Sequence, residues 1–213
     1  YFDFIIKYFM NKNLLGIFFM TLGMFSLSVN DMTYKNLTMN FPVWEAVFFR
    51  ALSGSIISLF MVYRTGIGSI KTQKPVRHFV RAFSAVGCVV LYIFGIKYLQ
   101  LSENIAIAHS APIIAAILAV PILGEKIGIH RVAAIVIGFI GVLIIVKPGT
   151  DLFQLKSLLP IGSALFMASV YLSTRSLMNT ESSTSIVFYY SFALLFTSII
   201  FFPSDFIIPD AFN

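Results

Sequence analysis

Residues 102–149 read SENIAIAHSAPIIAAILAVPILGEKIGIHRVAAIVIGFIGVLIIVKPG. Two apolar runs, 102–123 and 131–147, flank a polar break at Gly124-Glu125-Lys126. A helix rises about 1.5 Å per residue and a bilayer core is roughly 30 Å thick, so about 20 apolar residues cross it. Each run approaches that length. Neither alternates in the roughly ten-residue segments of a membrane barrel, so both predict transmembrane helices.

Outward from this stretch, five more segments meet the same criterion: 14–34, 43–63, 79–99, 156–178 and 184–203. Short connections separate them, several with breakers: Asn40-Phe41-Pro42, Thr65-Gly66-Ile67-Gly68, Lys147-Pro148-Gly149 and Pro203. The expectation is an all-α polytopic membrane protein with seven transmembrane helices, solvated by a lipid bilayer. Composition agrees. Of 213 residues, 58% are apolar and 11% charged, and mean hydropathy is +0.90. A soluble domain carries about 25% charged residues, and a small globule cannot hide so much apolar surface. A soluble enzyme, a nucleic-acid-binding module and a disordered chain are excluded. The net charge of +6 forms no basic stripe, so no nucleic-acid partner is expected. The one cysteine, Cys88, rules out a disulfide within the chain. The first run ends in Asn30-Asp31 rather than a small-residue cleavage site, so no signal peptide is read.

Loop charges predict orientation. Ten Lys and Arg fall on one side, including Lys7, Lys12, Arg64, Lys71, Lys74, Arg77 and Arg81; four fall on the other: Lys35, Lys97, Lys147 and Lys156. Residues 1–13 are thereby predicted as a cytoplasmic tail. Trp44, Tyr34 and Tyr98 are placed near the outer interface, where amphipathic rings anchor.

A shift of 140 residues lays Lys35-Asn36-Leu37 over Arg175-Ser176-Leu177 and Val47-Phe48-Phe49 over Val187-Phe188-Tyr189. Spans 1 and 2 superpose on spans 6 and 7. Five spans separate the copies, and an odd number inverts them. Inverted repeats let two pseudo-symmetric halves close alternately around a midplane site.

These features together carry a family resemblance: Ala111-Pro112 in span 4, Gly124-Glu125-Lys126 at its end, Gly138-Phe139-Ile140-Gly141 in span 5 and the closing Lys147-Pro148. In this order and spacing the chain resembles an EamA domain of the drug/metabolite transporter superfamily. Within it, Asn30-Asp31 and Phe48-Phe49-Arg50 look most like bacterial carriers of the S-adenosylmethionine uptake type. The resemblance implies ten spans in two inverted five-helix repeats, here 14–148 and an incomplete 156–213. With Tyr1 in place of Met, it implies a truncated chain. It further implies a bacterial inner membrane and transport of a small metabolite.

Charged groups inside spans are costly, by about 2.5–3.5 kcal/mol at mid-bilayer, and normally face a cavity or a partner. Counted from the span ends, Asp31, Arg50 and His109 fall in one layer, roughly 7–11 Å below the outer boundary. With Asn30 they are the candidate substrate-binding residues. At the 140 offset Asp31 maps to Tyr171 and Arg50 to Tyr190. This predicts a cavity with one ionic and one aromatic wall, suited to a substrate with a charged end and a flat or cationic part. The bland readings are an Asp31–Lys35 pair at i, i+4, a snorkelling Arg50 and a packing role for His109. Glu45 and Glu103, near span ends, are read as interfacial. Pro112 lacks an amide proton three residues after His109, so a hinge or kink is predicted there. Ala111, Ala115 and Ala119, with Gly138 and Gly141, read as close helix packing.

No Walker A sequence, HExxH or His/Cys cluster is present, so no cofactor, metal or catalytic residue is expected. The leading reading is a secondary transporter for a small polar metabolite, driven by protons or by counter-substrate, with Asp31 and His109 as the proton candidates. The alternatives are a membrane-embedded enzyme, disfavoured because His109 and Ser110 are neighbours and diverge by about 100° on a helix, and a seven-helix receptor or channel. Oligomeric state is not legible.

Overall fold

In the computed structural model, residues 12–124, 128–146, 155–178 and 180–202 are described. The helices are α1 (Lys12–Asn40), α2 (Val43–Thr65), α3 (Pro75–Tyr98), α4 (Leu101–Ala108), α5 (Ala111–Leu123), α6 (Ile129–Val146), α7 (Leu158–Met178) and α8 (Ser183–Ile200). Six spans are long and apolar enough to cross a bilayer, with α4 and α5 together forming one of them; α6 contributes a shorter apolar stretch, Val132–Ile144. The chain is an all-α, multi-pass membrane protein. The tail at 1–11, Glu125-Lys126, Lys147-Pro148 and Pro203 lie outside the described residues.

Local chemistry sets the helix ends. Phe41 precedes Pro42 and so leaves the helical region, ending α1. Gly66, at φ +85°, ends α2 in a conformation a side chain would oppose. Pro75 starts α3, where its missing amide proton costs nothing. The Ser182 hydroxyl accepts the Ser185 amide at 3.0 Å and caps α8. Within α1, Thr21, Ser26, Ser28 and Thr33 donate to carbonyls four residues back, which satisfies their hydroxyls without water. The first half of α1 exposes Ile17, Phe18, Met20 and Phe25, a surface only lipid can solvate.

α2 and α8 pack antiparallel. Trp44 stacks on Phe201 at 4.8 Å at one end, Ser55 Oγ donates to the Ser191 carbonyl at 3.3 Å, and Thr65 Oγ1 reaches Thr184 Oγ1 at 3.5 Å at the other. α3 and α7 are also antiparallel: Arg77 meets Ser176, Ser84 meets Ser169, and Cys88 meets Ser163. Small residues make this possible. A Cβ on Gly87 would meet the Phe166 ring at 3.0 Å, and one on Gly162 would meet Leu91 at 2.9 Å. In lipid, such packing replaces the hydrophobic effect as the force between helices. Ala111, Ala115 and Ala119 are buried, and Gly138 admits Ile113; Gly141 meets nothing.

Lys35 Nζ, near the end of α1, donates to the Ile96 and Leu99 carbonyls at 2.7 and 2.8 Å. It thus satisfies two orphan carbonyls where the negative dipole end of α3 lies. Ser157, immediately before α7, donates to Glu103 at the start of α4. The end of α1 and the start of α7 therefore share one end of the bundle, and the two helices run in opposite senses.

The opposite, basic end is closed by the α2–α3 connection strapped to the α7–α8 loop. Glu181 accepts from Thr72 Oγ1 at 3.0 Å and from the Gln73 amide at 3.2 Å, with His78 Nε2 3.5 Å away. Tyr189 donates to the Ile70 carbonyl and Ser182 to that of Ser69.

Three sequence expectations change here. α1 runs on to Asn40 because the charge of Lys35 is absorbed by α3, so Asp31 lies nine residues from the helix end. Arg77 and Arg81, counted as loop residues, lie on the first two turns of α3. Glu45 is not interfacial but 1% exposed, because the first turn of α2 is a packing seam in which Val43, Ala46 and Val47 are also buried.

Candidate functional site

A cavity of about 250 Å³ lies between α1, α2 and α8, midway along α2 and α8 and in the second half of α1. Asn30 and Tyr34 line it from α1, Arg50, Ser53 and Gly54 from α2, and Tyr190 and Ser191 from α8. Gly54 faces Ser191 across the seam: a Cβ there would lie 3.5 Å from Ser191 Oγ, an ordinary contact.

Arg50 is the charged centre of this cavity. Its Nη1 donates to Asn30 Oδ1 and to the Tyr34 hydroxyl, both at a long 3.4 Å. Its guanidinium lies 5.7 Å from the Tyr34 ring centroid, within cation–π range. Among the described residues no carboxylate ion-pairs with it. Half-buried Arg50 turns toward Asn30 and Tyr34 on α1.

Tyr190 joins the cavity to the basic end. Arg81, which does not line the cavity, stands 5.8 Å from the Tyr190 ring centroid. Arg81 Nε donates to Thr174 Oγ1 on α7 at 3.0 Å, and its Nη1 to the Ile186 carbonyl on α8 at 3.3 Å. Arg81 thus ties three helices together directly beneath the cavity.

Asp31 is half-buried and does not line the cavity. It accepts from the Tyr92 hydroxyl of α3 at 3.0 Å, with Arg50 and His109 within electrostatic reach. Asn30 and Asp31 are consecutive, hence about 100° apart on α1, and one faces Arg50 while the other faces α3. The Asp31–Lys35 pair does not form, because Lys35 is held by the α3 carbonyls. His109 is exposed at the end of α4, where its ring Nδ1 lies 2.8 Å from the Ile105 carbonyl. A carbonyl only accepts, so Nδ1 carries the proton there. α4 stops at Ala108 and α5 starts at Ala111, with Pro112 in its first turn, so the interruption falls where the missing amide proton places it. Tyr171 is 44% exposed on α7 and does not line the cavity.

The structure therefore brings Asn30, Arg50 and Tyr190 together, sets Asp31 one layer behind them against Tyr92, and leaves His109 and Tyr171 apart. Tyr34, Ser191, Tyr92 and Arg81 were missed. Arg81, a charge close to an apolar run, carried a signal that loop counting discarded; the uncharged residues carried none. Among the described residues no three His, Cys, Asp or Glu gather to hold a metal.

The comparisons with known proteins agree with this architecture. Residues 14–147 match the EamA-like transporter family. The chain is 30% identical over 176 residues to the S-adenosylmethionine uptake transporter of Rickettsia felis, covering 83% of this chain and 60% of that protein. It is 30% identical over 177 residues to the riboflavin transporter of Vibrio cholerae, covering 82% and 59%. It is 25% identical over 195 residues to the pseudopaline exporter CntI of Pseudomonas aeruginosa, covering 91% and 68%. The chain thus spans about 60% of the length of the first two. No solved structure matches it. These relatives are transporters and not enzymes. The family match covers more than half of the chain, and with it the chain belongs to the EamA-like transporter family.

Proposed function

We propose that the protein is a secondary transporter of a small polar metabolite working by alternating access, with the cavity at Asn30, Arg50 and Tyr190 as its substrate site. One observation carries this: a guanidinium inside the bundle, lining a cavity of about 250 Å³, whose hydrogen-bond partners among the described residues are neutral. An intramembrane charge facing the bundle interior marks a substrate or ion pathway by default. The relatives' names, S-adenosylmethionine and riboflavin among them, support a small-metabolite cargo, which we read as S-adenosylmethionine-, amino-acid- or nucleoside-like. The opposed senses of α1 and α7 support two inverted repeats, 14–148 and 156–213. The loop charges support a cytoplasmic N-terminus, and the bacterial relatives support an inner membrane. Asp31, held by Tyr92 beside the cavity, is the group we assign to proton coupling, with counter-substrate exchange as the other drive.

The test is uptake and counterflow in proteoliposomes against S-adenosylmethionine, riboflavin and amino acids, with and without a pH gradient. Wild-type protein moves at least one of them, Arg50→Gln does not, and Tyr171→Ala still does. Uptake by Arg50→Gln equal to wild type would remove the cavity from the mechanism.

A further inference from the structure

We infer that the cavity selects substrates bearing a carboxylate, which docks on Arg50 between the Tyr34 and Tyr190 rings; this rests on the transporter reading above. A guanidinium presents five donors in a planar fork that matches a carboxylate. Among the described residues the fork's hydrogen bonds go to neutral oxygens, Asn30 Oδ1 and the Tyr34 hydroxyl, and Tyr190 lines the same cavity. The two Nη1 bonds, at 3.4 Å, are longer than the usual 2.7–3.2 Å range, so a charged acceptor displaces them readily.

The protein's own nearby carboxylate does not take this role. Asp31 is drawn to Tyr92 at 3.0 Å on the α3 side, which leaves the cavity a net positive lining. Charge counting favours a carboxylate over a phosphate. A phosphate monoester carries about −1.5 to −2 at neutral pH, and among the described lining residues Arg50 is the one cation. A second guanidinium, Arg81, stands 5.8 Å from the Tyr190 ring centroid but is not among the lining residues and donates instead to Thr174 and the Ile186 carbonyl. One positive charge matches one carboxylate. Tyr34 and Tyr190 both line the cavity and offer aromatic surface to whatever the carboxylate is attached to.

The test uses probe pairs that differ at the acid group, with binding and proteoliposome counterflow measured on the full chain: S-adenosylmethionine against its methyl ester, nicotinate against nicotinamide, and phosphoethanolamine against ethanolamine, with riboflavin as a probe lacking a carboxylate. The acid of at least one carboxylate pair binds at least about ten-fold more tightly than its neutral partner. Arg50→Gln abolishes that preference and Arg50→Lys keeps part of it. Equal binding of acid and neutral partners in wild-type protein overturns the inference while any uptake leaves the transporter reading intact. A preference that survives Arg50→Gln, or phosphoethanolamine outbinding the carboxylates, overturns it as well. Absence of binding and transport for every probe overturns both readings.

Discussion

Replacing Gly95 with alanine tests the packing that holds α3 against α4. The added Cβ would lie 2.0 Å from Asn104 Oδ1 and 3.0 Å from its Cγ. Ordinary C···O approach is about 3.3–3.6 Å, so the amide must retreat by more than about 1 Å. It has no room, since Asn104 is 0% exposed. Its Nδ2 also donates to the Tyr92 carbonyl at 3.3 Å, a bond the retreat breaks. Overpacking costs about 1–3 kcal/mol and the lost bond about 1 kcal/mol, so the expected loss is about 2–4 kcal/mol. At about 2–4 °C per kcal/mol for a chain of this size, Tm falls by about 4–16 °C. The assay is thermal unfolding of the purified protein in detergent. The second arm is a double-mutant cycle with Asn104→Ala, which removes the clashing amide, so the double variant is more stable than the sum of the two single losses implies. A Gly95→Ala Tm within 1 °C of wild type, or strict additivity in the cycle, refutes the close approach.

Three further outcomes follow from the geometry. Lys35→Met leaves the Ile96 and Leu99 carbonyls without their ammonium; at about 1.5–3 kcal/mol for a charged hydrogen bond, Tm drops by several degrees, and an unchanged Tm contradicts the assignment. Burial pushes the Glu181 carboxyl upward, but hydrogen bonds from Thr72 and Gln73 and the neighbouring His78 outweigh it and hold the group below its ordinary value of 4.5. Its contribution is therefore present above pH 4.5 and lost as pH falls through the depressed value, so Tm measured downward from pH 7 declines in wild type and declines less in Glu181→Gln. Asp31→Asn retains substrate binding at Arg50 but makes uptake indifferent to an imposed pH gradient; gradient-driven accumulation by that variant returns coupling to another group.

The helices were legible because lipid demands long unbroken apolar runs, and breakers such as Pro42, Gly66 and Pro112 act locally. The Ala111, Ala115 and Ala119 ladder was legible for the same reason, as spacing by four puts small residues on one face. Arg50 stood out because a charge within an apolar run has few places to go. Depth along a span did not reveal lateral facing. Asn30 and Asp31 differ by one residue, and only the rotation of α1 against α2 and α3 decides which of them meets the guanidinium. Tyr171 follows from the offset alignment as well as Tyr190 does, yet α7 turns it away from the cavity. Glu45 shows the converse, a carboxylate near a span end that the packed first turn of α2 buries. The Lys35 contact with α3 joins residues more than 60 apart, so no local pattern announced it.

Substrate protection of the cavity wall tests the central assignment most directly. With Cys88→Ser removing the native thiol, Ser53→Cys places a near-isosteric probe beside Arg50. Maleimide labelling of the reconstituted protein is then timed with and without a saturating transported substrate. Occupancy of the cavity slows labelling several-fold at Ser53→Cys and leaves a control at the lipid-facing Ile56→Cys unchanged. Equal labelling rates at Ser53→Cys, under conditions where the same substrate is transported, would place the binding site elsewhere in the bundle.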